Sequence, residues 1–319
     1  MNIHDHTVRA HDRIRDRVRE TPVEFSTELS RLVGGSVHLK LENLQHTGSF
    51  KLRGAANKLA CLPTETSSNG VVAASTGNHG AAIAFSARRE GIRSIVFAPE
   101  TASPEKLRVV ESLGTELRRV GEDCLESETA AREFAADHSM AYISPYNDID
   151  VIAGQGTVGS ELVTQLDDFD AVIASVGGGG LIGGIGGFLA GTARSVEVVG
   201  CSPRNSAVLH ASLRAGKILD LPSDPTLSDG TAGGVEPDTV TLPLCQQVVD
   251  RFTLVSEEEI RAALRIVARG HHMMIEGAAA TAVAALLQEP GHYADRSTVV
   301  VVCGANIDPR TFAEVILGE

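Results

Sequence analysis

Lysine is scarce in this chain: five residues, at 40, 51, 58, 106 and 217, stand against 23 arginines in 319 positions. Basic charge is short overall. A formal charge of -13 and a pI near 5.3 argue against a nucleic-acid partner, which clustered Lys and Arg would attract. A small-molecule partner is expected instead. The five cysteines (Cys61, Cys124, Cys201, Cys245, Cys303) contain no C-x-x-C pair. Neither a zinc site nor a disulfide framework is therefore suggested, and a reducing cytoplasm fits. No apolar leader is present either, because the opening "MNIHDHTVRAHDRIRDRVRE" alternates charges where an export signal would be apolar. The uncharged run from Ala171 to Ala193 has membrane length, but its nine glycines make a poor spanning helix. A protein with no membrane partner is expected.

What is present is a substantial apolar content, 43%, in a pattern where helical periodicity and short apolar runs alternate. That is the pattern of an α/β protein with parallel strands. "GVVAAS" (70–75) and "SIVFAP" (94–99) read as strands around a helix over 77–91, followed by a helix at 106–114 and a strand "AYIS" at 141–144. A second series has a helix near 154–166, strands at 170–176 and 196–202, helices at 256–269 and 276–288, and a strand "STVVVVCG" at 297–304. The expected division is a small unit over 66–147 inserted into a larger one made of 1–65 and 148–319.

Three motifs carry chemistry. "SVGGGGLIGGIGG" (175–187) follows a strand and opens a helix. Consecutive glycine amides and a helix N-terminus converge on an anion there, so a phosphate is expected. Gly178, Gly180 and Gly183 also satisfy G-x-G-x-x-G, yet Cys201, Ser202 and Pro203 stand where a dinucleotide site wants an acid. A tight structural turn is the bland alternative. Lys51 is set between Phe50 and Leu52 in "GSFKLRGA". A phosphate loop together with a lysine in apolar surroundings suggests pyridoxal phosphate (PLP), whose aldehyde condenses with a lysine amine. Alone, such a lysine is usually a solvated helix residue. "ASTGNHG" (74–80) joins a strand end to a helix start, where hydroxyls and amides can hold a carboxylate, or merely cap the helix.

The combination "GSFKLRGA", "STGNHG", "VGGGGLIGG" and "VVVVCGAN" resembles the fold-type II PLP enzymes, in particular the serine/threonine dehydratase and serine racemase group, over essentially the whole chain. The resemblance implies an α/β fold of the tryptophan synthase β kind, with two open twisted parallel sheets covered by helices on both faces. It implies that Lys51 carries the cofactor, Phe50 lies near its pyridine ring, and Asn78 binds its 3-hydroxyl. Gly177, Gly178, Gly179, Gly180 and Leu181 would cradle the phosphate. Ser75, Thr76, Gly77 and His79 would face the substrate carboxylate. Glu276 would lie near the ring, and Cys303 would face the pyridine nitrogen. A neutral thiol there should favour β-elimination over transamination, although a buried small hydrophobe is the plain reading of that cysteine.

The resemblance also implies a small 3-hydroxy amino acid as substrate, such as threonine, serine or 3-hydroxyaspartate, and a homodimer. Alternatives are a dehydratase of hydroxyectoine utilisation, suggested by the loop 226–241, a serine racemase-type enzyme, or a non-catalytic PLP-binding regulator. Thr76 replaces the second serine that racemases of this group use, so elimination should outrun racemisation. Ser202 and Val208 stand where many members begin a divalent-metal site, so no metal is expected. The biosynthetic members' C-terminal regulatory domain is not expected.

Overall fold

The computed structural model describes residues 2–102, 104–122 and 124–318. Among these the strands are β1 (Val23–Phe25), β2 (Ser36–Lys40), β3 (Val71–Ala74), β4 (Ser94–Ala98), β5 (Glu116–Arg119), β6 (Ala141–Tyr142), β7 (Ala171–Ser175), β8 (Glu197–Pro203), β9 (Arg251–Val255) and β10 (Ser297–Val301). They form a six-stranded sheet in the order β1-β2-β10-β7-β8-β9 and a four-stranded sheet in the order β5-β4-β3-β6. All pairings are parallel except β1 with β2. The two expected parallel sheets are present, with one addition: a short antiparallel edge strand closes one side of the larger sheet.

Parallel strands are covered on both faces, so they read as continuous apolar runs rather than alternating ones. Val299, Val300, Val301 and Val302 are fully buried, as are Val71, Val72 and Ala73. The surrounding helices have apolar faces at helical spacing. In Glu257–His271 the buried residues are Ile260, Ala263, Leu264 and Val267, and Ser256 with Glu259 closes a capping box at the start. The expected helix near 154–166 begins earlier, at Ile149, where Asp148 accepts hydrogen bonds from the backbone N–H groups of Asp150 and Val151. The helix expected at 106–114 runs Pro104–Ser112. The side chains of Lys106 and Cys124 lie outside the described residues.

Charge is also built into the core. Arg53 is fully buried and holds Glu42 through Nε and NH2, both at 2.7 Å, while its NH1 reaches Glu161. Glu161 in turn pairs with buried Lys40. Two cations and two carboxylates therefore close a network in which each charge has a partner, the condition under which buried ions are tolerated. It clamps the helix Lys51–Cys61 to Ile149–Gln165 and so fixes the origin of Lys51.

Candidate active site

β3 ends at Ala74 and the helix Asn78–Glu90 starts four residues later; β7 ends at Ser175 and the helix Gly180–Leu189 starts five residues later. Neither helix has a capping side chain at its N-terminus. Their first-turn N–H groups are thus open to anionic ligands. Both starts line one cavity of about 400 Å3, together with Phe50, Lys51, Glu276 and Cys303. The same cavity takes in Ser75, Thr76, Gly77, Asn78 and His79, and Gly177 to Leu181. Every residue singled out from the sequence as a candidate site residue is therefore brought together.

Lys51 opens its helix. Its Nζ donates to the Pro145 carbonyl at 3.0 Å and lies 5.3 Å from the centre of the Phe50 ring. Burial draws its pKa down to about 8, against the opposing fields of Cys303 and Glu276. Glu276 accepts from Asn78 Nδ2 at 3.0 and 2.9 Å on its two oxygens, and Asn78 Oδ1 accepts from Asn306 at 2.6 Å. Burial lifts Glu276 to about 7 despite those bonds. The Cys303 thiol is pushed well above its ordinary value, first by burial and then by Glu276, and stays neutral. Its Sγ lies 3.4 Å from Ser175 Oγ.

His79 is held by its own hydrogen bond. It lines the cavity with only 4% exposure, and its Nε2 is 2.9 Å from the Ile143 carbonyl oxygen. Burial, with Lys51 behind it, pulls its pKa down to about 3. The ring is neutral and must donate through Nε2, so that nitrogen is not available to a carboxylate. Ser75 Oγ accepts from Gly77 N at 3.1 Å, which shapes the turn before the helix.

Three further residues belong to the site: Ser175, from the start of the glycine motif, Thr231, from the loop 226–241, and Tyr146, which no motif signalled. Ser175 faces Cys303, Tyr146 covers the glycine loop, and Thr231 packs on Gly177. A Cβ on Gly178 would stand 2.3 Å from the Tyr146 ring, and one on Gly177 would stand 3.0 Å from Thr231 backbone atoms. Gly179 has φ +85°, which glycine alone adopts readily. The loop is closely surrounded on its side-chain sides, so only backbone amides can serve a ligand. A phosphate cradle, an amine of lowered basicity and a neutral thiol in one cavity fit PLP.

The positions of a possible metal site are occupied otherwise. Ser202 Oγ donates to the Val176 carbonyl at 2.7 Å, and Val208 is buried at the start of a helix. Among the described residues no group of three His, Cys, Asp or Glu is placed to hold a metal ion, and no helix is long and apolar enough to cross a membrane.

The sequence pattern of the family described as pyridoxal-phosphate dependent enzyme matches residues 14–304, and the chain belongs to that family. Its fold is fold-type II, and its cofactor is PLP. The chain is 38% identical over 307 residues to an L-threonine ammonia-lyase of Geobacter sulfurreducens, covering 96% of this chain and 76% of that protein. Among solved structures it is similar to the processed form of threonine deaminase isoform 2 from Solanum lycopersicum, with a TM-score of 0.93 at 32% identity, covering 98% of this chain and 92% of the other. Maize serine racemase gives a TM-score of 0.92 at 30% identity, with 99% and 97% covered.

Proposed function

We propose that the chain is an ammonia-lyase that removes the β-hydroxyl and amino groups of a small 3-hydroxy amino acid, threonine being the best fit, to give a keto acid and ammonia. The observation that carries this reading is the shared cavity of Lys51, the two uncapped helix starts and the neutral Cys303. PLP, when bound, supplies an electron sink for the negative charge left at the substrate α-carbon. Lys51 Nζ is the base that takes the α-proton. With a pKa of about 8, roughly a tenth of such amines are unprotonated at neutral pH, against fewer than about one in a thousand for an ordinary lysine. The same amine then returns a proton to the departing hydroxyl.

Ser75, Thr76 and Gly77, with the first N–H groups of Asn78–Glu90, hold the substrate carboxylate. Gly177 to Leu181 hold the cofactor phosphate, Phe50 flanks the ring, and Asn78, steadied by Glu276, holds its hydroxyl. Cys303 offers the ring nitrogen a neutral thiol, which favours elimination over transamination. Threonine ranks above serine because the chain is 38% identical to a protein named L-threonine ammonia-lyase. A hydroxyectoine-derived compound is the alternative suggested by the loop 226–241. Threonine ranks above 3-hydroxyaspartate because Lys51 is the one lysine or arginine among the described residues lining the cavity, while Asp229, Asp308 and Glu276 also line it. The segment 66–147, which carries the four-stranded sheet, would close over the substrate. A cytoplasmic homodimer completes the reading, supported by the resemblance and by the free buried thiols of Cys201, Cys245 and Cys303.

Borohydride reduction of the PLP-loaded protein followed by peptide mapping should tag Lys51, and ammonia release should show kcat/KM highest for threonine among the three amino acids. A tag on Lys40 or Lys58, or no turnover of any of the three, would overturn the reading.

A further inference from the structure

Four consecutive residues, Ser144 to Asn147, tie the site to the segment around Glu236. The Pro145 carbonyl accepts the hydrogen bond from Lys51 Nζ at 3.0 Å. The Tyr146 ring lies against Gly178. Ser144 Oγ donates to Glu236 Oε1 at 2.9 Å, and Asn147 Nδ2 donates to Glu236 Oε2 at 2.8 Å. The Glu236 backbone N–H donates to the Tyr146 hydroxyl at 2.8 Å, and Val240 N–H donates to Asn147 Oδ1 at 2.9 Å. Arg132 NH2 adds a pair to Glu236 Oε2 at 2.8 Å, and its guanidinium lies 4.1 Å over the Tyr142 ring.

Neither 143–148 nor 232–240 belongs to a strand or a helix, except that the first helix of the former's continuation begins only at Ile149. Few backbone bonds reach them, among them those from Ile143 N–H to the Val72 carbonyl and from Thr239 N–H to the Glu236 carbonyl, so side-chain hydrogen bonds carry much of their order. One carboxylate receives all three donors. Its side chain is 18% exposed, and charge-assisted bonds at such sites are stronger than neutral ones. Glu236 does not line the cavity itself, whereas Pro145, Tyr146 and the residues Asp229 to Gly234 do.

We infer that Glu236 is a positioning residue: it gathers Ser144 and Asn147, and thereby sets the Pro145 carbonyl against Lys51, the Tyr146 ring on the glycine cradle, and the loop 229–234 along the cavity wall. It acts through these neighbours and touches neither cofactor nor substrate. The inference rests on Lys51 and the glycine loop as the cofactor site.

Hydrogen exchange of the cofactor-free protein, read by mass spectrometry alongside PLP titration, tests it. In Glu236→Ala, peptides covering 144–147 and 229–240 should exchange about tenfold faster or more, because hydrogen bonds to a charged group are the stronger ones. PLP affinity should fall by about tenfold, with protection of β10 unchanged. Glu236→Gln keeps an acceptor and should fall between the variant and the natural protein. Unchanged exchange at 144–147 would overturn the inference, and so would equal loosening of β10, which would mean a general structural role. If Glu236→Ala does not fold, Glu236→Gln, which keeps the size but loses the charge, takes its place. Faster exchange at both segments in that variant supports the inference, and none overturns it. Because exchange is measured without cofactor or substrate, loosening at both segments in a protein that turns over none of the amino acids tested would sink the functional reading and leave this one standing.

Discussion

Replacing Gly178 by alanine would put a methyl carbon 2.3, 2.4 and 2.6 Å from three ring carbons of Tyr146. Carbon atoms in contact stay about 3.5 Å apart, so the ring would have to retreat by roughly an ångström. It is poorly placed to do so. Its hydroxyl accepts from Glu236 N–H at 2.8 Å, and its own Cα and Cβ lie 3.1 Å from where a Cβ on Gly180 would be. Overpacking of this kind costs about 1–3 kcal/mol. If the strain falls on the glycine cradle, PLP should bind about 5- to 150-fold more weakly. Titration of cofactor-free protein followed by absorbance measures this, and thermal melts separate loss of affinity from loss of fold. Gly234→Ala is the control: with nothing within 4 Å of the added carbon, its affinity should stay within about twofold. The cost should also vanish when Gly178→Ala is made in a Tyr146→Ala background, because the two positions couple through contact. An unchanged affinity in Gly178→Ala, or an equal loss in the Tyr146→Ala background, would refute the reasoning.

Four other outcomes are expected. Lys51, with its pKa lowered to about 8 by burial, presents its neutral amine above that pH, so the rate of PLP capture by cofactor-free protein should rise with pH and level off above about 8 rather than beyond 10. Dialysis against a chelator should leave activity intact, since Ser202 and Val208 supply no carboxylates; loss restored by magnesium or calcium would point to another site. Thr76 should leave elimination faster than racemisation, read from α-proton exchange and product chirality with both serine enantiomers; comparable rates would refute that role. Glu161→Gln should destabilise the protein by about 3–5 kcal/mol in urea unfolding, because it strips a carboxylate from fully buried Arg53 and Lys40; a midpoint shift near zero would mean water reaches that network.

The alternation of strands and helices is legible wherever both faces of a strand are covered. "GVVAAS" and "SIVFAP" bracket β3 and β4, and the helix between them is Asn78–Glu90. Edge elements are harder to read. β5 is "ELRR", a polar strand paired on one side only, with Arg118 resting on the Phe134 ring at 4.1 Å instead of entering an apolar core. The helix Ile3–Ile14 hides in alternating charge because its buried face is just Ile3, Thr7, Ala10 and Ile14. Within the cavity, motif-bearing residues sit next to one another in sequence and so announce themselves. Ser175, Tyr146 and Glu236 act through partners far along the chain, 128 residues away for Ser175 with Cys303 and 90 for Tyr146 with Glu236. No local spacing encodes contacts of that kind.

The pairing of β2 with β10 has a further consequence, for the order of assembly. Ser36 to Lys40 align with Ser297 to Val301, and just beyond them Phe50 N–H donates to the Cys303 carbonyl at 3.0 Å. The lysine end of the site and its thiol wall therefore come from opposite ends of the chain. Closing a loop of that length is slow, because its entropy is lost before the contact rewards it. During synthesis the glycine loop and the helix Asn78–Glu90 leave the ribosome while the thiol wall does not yet exist. A nascent chain that has not reached β10 lacks the strand between β2 and β7, so cofactor uptake would mark a polypeptide whose last strand is already in place.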